Sequence, residues 1–364
     1  TKEKIPDKFS VDIELTNACN ASCTFCPRDK MPDIGTIKPE HFYKAVERGL
    51  EHPGTPFFAF CGTGDSLMNK HIVEYAQYIG DAGCNLSIAT NGHLMNEEKA
   101  QALIEAGVSQ VTFNIASRGE KYEQDYGLDF QTTHENILKF VKLSKGRCAT
   151  RIALVLHDEA ARYEDEEAYW RSRGVNEFIN YEIINRAGAL YPLREIPAQE
   201  VREVKQTLGE KGVLDACLVP YFFFFIGWDG YYYPCSSDWQ KKAPVGHIET
   251  HAIEETYAAR QRAVQARSPI CAQCTSDPVN RFLSNTLHWK GGISAEKSEC
   301  KHNKNRQFGP TGLDAKTTAR SWCHWGGRYV DWIEFDRRLS FLMKNHCERH
   351  WASAAIALVG LFVF

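Results

Sequence analysis

The chain has 364 residues, and its 43 Lys and Arg against 46 Asp and Glu leave a formal net charge of -3. That length supplies one large domain plus a smaller one, and the near-neutral balance argues against nucleic acid or an anionic membrane as a charge-driven partner. Thirteen cysteines with no secretory pattern point to metal ligation in a reducing cytoplasm rather than to a disulfide framework.

Residues 9–15 form an apolar, strand-like run that opens into a loop at Thr16-Asn17. The loop reads Cys19-Asn-Ala-Ser-Cys23-Thr-Phe-Cys26. Three thiolates on so short a loop can grip three corners of one cube-shaped iron–sulfur cluster, which a protein normally holds with four cysteines. The next cysteine is Cys61, so one iron is left open to an outside ligand. An open position marks a reactive metal site rather than a structural one. Zinc is the competing reading, but structural zinc usually takes paired CxxC or Cys/His spacing.

Strand-like and helix-like stretches then alternate. Residues 38–51, 70–82, 96–106, 132–143 and 163–173 read as helices, and 57–61, 86–89, 111–115, 151–156 and 178–184 as strands, with a charged loop after 115. Such alternation predicts parallel strands with helical crossovers. Together with residues 9–15 the strands number six, which fits an open α/β fold of the partial (β/α)6, TIM-like barrel type. Reactive groups in such folds gather at the C-terminal ends of the strands.

The segment from Glu14 through Cys19, Cys23 and Cys26 to Arg28 resembles the signature of the radical S-adenosylmethionine (radical SAM) enzymes. The resemblance implies a [4Fe–4S] cluster on the three cysteines, with SAM bound at the open iron through its amino and carboxylate groups. One electron then breaks the sulfonium bond, and a 5′-deoxyadenosyl radical abstracts hydrogen from an unactivated carbon. It also implies the partial barrel.

Further positions match that family. Cys61-Gly62-Thr63-Gly64-Asp65, after the second strand, resembles its glycine-rich motif for the SAM amino group, with Asp65 in place of Glu and Ser66 in place of Pro. Thr90-Asn91-Gly92 ends the third strand in the same way. Asn114 stands where relatives carry a Ser toward SAM, although Ala116 replaces a common Asp. Arg186, in Asn185-Arg186-Ala-Gly188, resembles the turn near adenine, and Phe25 is the usual aromatic neighbour of adenine. A turn or core role competes for each.

Residues 194–212 read as a charged, helix-like linker. Two β-rich runs, 221–226 and 228–235, meet at Asp229-Gly230, a hairpin signal. Gly246-His-Ile248, a helix-like stretch over 253–266 and Cys271-Ala-Gln-Cys274 follow. Cys217, Cys235, Cys271 and Cys274 are four potential ligands for zinc or an iron–sulfur cluster. This unit resembles the auxiliary-cluster extension of radical SAM enzymes, called SPASM with two clusters and twitch with one. Asn280 stands where the two-cluster pattern has a further cysteine, so one auxiliary [4Fe–4S] cluster is expected.

The expected division is a barrel over 1–193, an auxiliary-cluster domain over 194–278 and a tail over 279–364. In the tail Cys300, Cys323 and Cys347 read as free thiols and 332–346 as an amphipathic helix. The apolar stretch 352–364 is shorter than the roughly 18–20 residues of a membrane span.

The resemblance, over about residues 9–278, implies the reaction class better than the substrate. The first reading is modification of a ribosomally made peptide by a crosslink, thioether or epimerisation. With Thr1 eighteen positions before Cys19, peptide recognition is expected from a separate protein. The second is oxidation of a small alcohol or amino-sugar, with the auxiliary cluster taking the second electron. A flavodoxin or ferredoxin reductase is the expected electron donor. Cys61, or one of the late cysteines, is a candidate hydrogen donor to a substrate radical. A zinc-stabilised binding module without catalysis is the non-enzyme reading, and the open three-cysteine site argues against it.

Overall fold

The computed structural model describes residues 5, 7–156, 163–175, 177–182, 219, 223–266, 270, 322–325 and 328–331. Cys217, Cys271, Cys274, Arg186, Cys300, Cys347 and most of the expected linker and tail lie outside the described residues.

Six parallel strands form the expected series: β1 (Lys8–Ile13), β2 (Thr55–Phe60), β3 (Asn85–Thr90), β4 (Gln110–Asn114), β5 (Ala149–Leu156) and β6 (Glu177–Glu182). They are crossed by α1 (Pro39–Glu51), α2 (Ile72–Asp81), α3 (Glu97–Glu105), α4 (Gly119–Tyr126), α5 (Phe130–Ser144) and α6 (Tyr163–Arg171). Local chemistry sets the helix starts. Pro39 opens the first turn of α1. Asn96 and Asp129 cap α3 and α5 by accepting the amides of Lys99 and Thr132 at 2.9 and 2.8 Å.

The strands alternate. Phe9, Val11 and Ile13 of β1, and Phe58 and Phe60 of β2, are fully buried. Val11 and Phe58 sit against Gly49 of α1, and Phe113 of β4 meets Phe140 of α5 edge-on at 5.4 Å. The opposite face carries Asp12, Ala59, Ser87, Ala89 and Asn114, all half-buried. Phe57 and the buried Ser10 stand on the same face.

The expected hairpin is β7 (Phe223–Ile226) and β8 (Tyr231–Tyr233), turning through Asp229-Gly230 with Gly230 at φ +85°. A short β9 (Gly246–His247) follows, then α7 (Ile253–Gln265). β7 pairs in parallel with the free edge of β1, giving the strand order β6-β5-β4-β3-β2-β1-β7-β8-β9. The barrel and the extension therefore share one sheet.

Two differences from the sequence reading stand out. The stretch read as a charged loop after residue 115 contains α4, whose apolar face is only Tyr122 and Tyr126, stacked at 4.6 Å. In the tail, β10 (Trp322–Trp325) pairs antiparallel with β11 (Arg328–Asp331), where no strand was expected. Among the described residues no helix is long and apolar enough to cross a membrane.

Candidate active site

The cysteine loop leaves the C-terminal end of β1 and is pinned from three sides. Behind it, Asn17 gives its side-chain amide to the Asp33 carbonyl at 2.7 Å and accepts the Gly35 amide at 2.7 Å, while the Thr16 hydroxyl donates to the Gly35 carbonyl at 2.6 Å. On one flank, the end of α4 supplies carbonyls: Ser22 N–H donates to Tyr126 at 2.8 Å and Thr24 N–H to Asp125 at 3.0 Å. Gly127 ends α4 in the left-handed region at φ +65°, which favours glycine, and a Cβ there would run into the Ser22 hydroxyl unless that side chain turned away. Phe25, the expected adenine neighbour, meets Tyr126 edge-on at 5.4 Å.

The third side is the strap Cys61–Asp65. A Cβ on Gly64 would lie 2.4 Å from both the Ala18 and Thr16 carbonyls, and Asp65 N–H donates to Ala18 at 2.9 Å. The glycine here allows close approach to the chain's own cysteine loop rather than to a ligand.

Asp65 is buried and committed within the protein. It accepts Leu67 N–H at 2.9 Å, Asn91 N–H at 2.8 Å and the Thr90 hydroxyl at 2.9 Å. Burial pushes its carboxyl above the usual range, against those hydrogen bonds and the charge of Lys99. Asp65 and Thr90 thus form a bonded pair behind the loop. Asn91 carries the arrangement forward. Its side-chain amide donates to Asn20 Oδ1 at 2.9 Å and lies 3.9 Å from Cys19 Sγ. Cys61, Gly62 and Asn114 are half-buried at the ends of β2 and β4.

The donor set fits a cluster. A tetrahedral ion with Zn–S bonds of about 2.3 Å would hold its thiolates about 3.8 Å apart. Among the described residues the one group of three or more Cys, His, Asp or Glu donors within 4.8 Å of one another lies elsewhere, so the three thiols are not gathered as a single tetrahedral ion would gather them. Burial pushes the Cys19 thiol up to about 11 and Cys23 higher still, the neighbouring thiols adding to the rise at Cys23. Only bound metal charge would keep such buried sulfurs ionised. Asn20 Nδ2 is buried without an acceptor, a donor left over for a bound group.

Sequence reasoning missed two features. Glu14 is fully buried beside the strap, accepting Thr63 N–H at 2.9 Å and the Thr63 hydroxyl at 2.7 Å. Its other oxygen meets Lys241 Nζ at 2.7 Å, from the loop after Cys235, and that ammonium also lies 4.8 Å from the Phe225 ring. Lys241 holds φ +55°, a conformation a non-glycine residue rarely adopts. Asp12, on the polar face of β1, accepts the Ser10 hydroxyl at 2.5 Å. Burial holds its carboxyl up at about 6, with Ser10 and Arg260 pulling the other way. Glu14 stood within the quoted cysteine signature; neither Lys241 nor Asp12 had any local signal.

Residues 13–165 match the Radical SAM superfamily, and residues 217–275 match SPASM, an iron–sulfur cluster-binding domain. A protein of Pyrococcus furiosus named as modifying the cofactor of tungsten-containing aldehyde ferredoxin oxidoreductase is 27% identical over 104 residues, 28% of this chain and 29% of that one. The sporulation killing factor maturation protein SkfB of Bacillus subtilis is 22% identical over 262 residues, 66% of this chain and 62% of its own. The chain thus spans less than two thirds of either relative. Among solved structures, Streptococcus suis SuiB bound to precursor peptide SuiA shares the fold with a TM-score of 0.53 at 12% identity, over 69% of this chain and 64% of that one.

Proposed function

Because the chain belongs to the Radical SAM superfamily and carries a SPASM-type iron–sulfur extension, we propose that it modifies a ribosomally made peptide by hydrogen abstraction at an unactivated carbon. Its cofactors are a [4Fe–4S] cluster with S-adenosylmethionine and auxiliary iron–sulfur. Given one electron, the first two supply a 5′-deoxyadenosyl radical.

In this reading Cys19, Cys23 and Cys26 hold three irons. Asp65 acts by position, fixing Thr90 and Asn91 so that the Asn91 amide and Asn20 stay at the loop. Gly62 and Gly64 keep the strap against the loop, and Phe25, Asn114 and Arg186 contribute to the SAM pocket. Cys217, Cys235, Cys271 and Cys274 hold the auxiliary cluster. Cys61 is the hydrogen donor. A flavodoxin or ferredoxin supplies the electron in the cytoplasm, and a separate protein presents the peptide.

What carries the peptide reading is the match to SkfB, named as the maturation protein of sporulation killing factor, which runs over 262 residues and so beyond the Radical SAM segment. The fold shared with SuiB, solved with a precursor peptide, supports it. On the strand face beside the loop Ala59, Ser87 and Ala89 keep their side chains short.

The test is anaerobic turnover with SAM, a reductant and precursor peptides encoded beside the gene. A peptide should raise 5′-deoxyadenosine release and lose hydrogen or be inverted at one carbon. In deuterated water an epimerised product should carry deuterium, and Cys61→Ala should abolish that label while still cleaving SAM. Stimulation by small alcohols or amino-sugars and by no peptide would replace this reading with the dehydrogenase.

A further inference from the structure

The barrel's first helix and the extension meet along a line unconnected with the cysteine loop. Arg48 of α1 donates from Nε to the Ile248 carbonyl at 2.8 Å and from Nη2 to the Glu249 carbonyl at 3.3 Å. One face of α1 is thereby fixed against the segment that follows β9. Two turns before Arg48, on the same face, stands His41. Across from it are His247 of β9 and Glu249.

We propose that His41, His247 and Glu249 form a binding site for a divalent ion of the zinc type, which clasps α1 to the extension. Their donor atoms all lie within 4.8 Å of one another. His41 Nε2 is 3.4 Å from Glu249 Oε1, and His247 Nδ1 is 3.7 Å from Glu249 Oε2. These separations exceed the 2.7–3.2 Å of ordinary hydrogen bonds. They run to the two different oxygens of one carboxylate and lie near or somewhat beyond the edge, about 3.3–3.4 Å, of a tetrahedron with bonds of about 2.0–2.1 Å, so a metal held by one oxygen would draw both imidazoles toward it. Two imidazoles and a carboxylate suit zinc and its neighbours, and three protein ligands leave the fourth position to water.

His41 is 9% exposed, and the nitrogen that faces Glu249 is Nε2. Its Nδ1, buried with no hydrogen-bond partner, would carry the proton when a metal holds Nε2. The backbone bonds from Arg48 set two of the ligands against the third before any ion arrives, so binding needs little reorganisation. The one competitor is the Glu249 amide, which donates to His247 Nδ1 at 3.3 Å, a bond long enough to yield to a metal.

The full chain, loaded anaerobically with iron and sulfide in zinc-free buffer, would be titrated with zinc chloride by calorimetry. Zinc-edge X-ray absorption would then identify the ligands. One zinc per chain should bind, in a nitrogen and oxygen shell near about 2.0 Å with imidazole scattering. His41→Ala and His247→Ala should lose that zinc while retaining wild-type iron. Glu249→Gln, an exposed change that leaves folding intact, should weaken binding at least about tenfold. No uptake by the wild type, a sulfur shell near about 2.3 Å, or unchanged affinity in Glu249→Gln would overturn the proposal.

Discussion

The barrel and the extension share one sheet and one apolar core, but the extension adds cations to that core. β1 to β4 are secured by an apolar layer, with Phe9, Val11, Phe58, Phe60, Ile88 and Phe113 shut away from water under the helices. The extension buries Phe224, Ile226, Tyr232, Ile248 and Ile253 in the same core and adds cations to it. Arg260 of α7 is fully buried, donating to the carbonyls of Tyr233, Pro234 and Phe223, and its guanidinium lies 4.6 Å from the Phe224 ring. Lys241 reaches across to Glu14. Beyond its apolar contacts the extension is therefore tied by two cations, and one of them reaches Glu14 beside the strap at the cysteine loop.

The sharpest way to break that comparison is Lys241→Met. It would leave the Glu14 carboxylate fully buried with only Thr63 for company, and about 3–5 kcal/mol of stability should be lost. Urea unfolding of the variant would show this. Glu14→Gln with Lys241→Met should recover most of it, because the uncompensated charge is gone. A loss no larger than 1 kcal/mol by order of magnitude would mean the extension is held by its apolar contacts after all.

Asp12 gives a smaller effect with a definite sign. Its folded carboxyl stands at about 6 against an ordinary 3.8. The folded state therefore keeps the proton more tightly than the unfolded chain, a contribution fully present below about pH 4 and lost as the pH rises through about 6. The shift corresponds to at most about 3 kcal/mol. Asp12→Asn should thus gain stability over the wild type on going from pH 4 to pH 7, read as the difference between their urea midpoints. A difference independent of pH would show that Asp12 is ionised without penalty.

The smallest change tests the barrel side. Tyr126 accepts Ser22 N–H with its carbonyl and gives its hydroxyl oxygen to Ala116 N–H at 3.0 Å. Tyr126→Phe leaves the Ala116 amide without that acceptor, at about 1–3 kcal/mol. Amide exchange should speed up first at the cysteine loop that α4 supports, and little in the hairpin.

What the sequence made legible was local. The three-cysteine loop, the strand-end glycines and the Asp229-Gly230 turn each sit within a few residues, and their spacing carries their geometry. The alternation of six strands and helices likewise follows from short-range periodicity. α4 escaped because two tyrosines among charges make a weak helical face, and their burial comes from the cysteine loop and α5. Glu14 with Lys241, Arg48 with Ile248 and His41 with His247 join residues about two hundred positions apart, and no periodic pattern encodes such pairs. Asp65 was read as part of a glycine-rich motif toward the SAM amino group, and its enclosure by Thr90 and Asn91 depends on how β2 and β3 end side by side.

The central claim is that one chain carries two separate iron–sulfur sites, an open one on the three-cysteine loop and a second one on the extension. Iron and acid-labile sulfide per chain, measured after anaerobic reconstitution of the wild type and of a Cys19→Ala, Cys23→Ala, Cys26→Ala triple variant, test it most directly. About eight irons falling to about four, with SAM cleavage abolished, is the predicted result. About four falling to none, with zinc bound to sulfur in the extension, would contradict it.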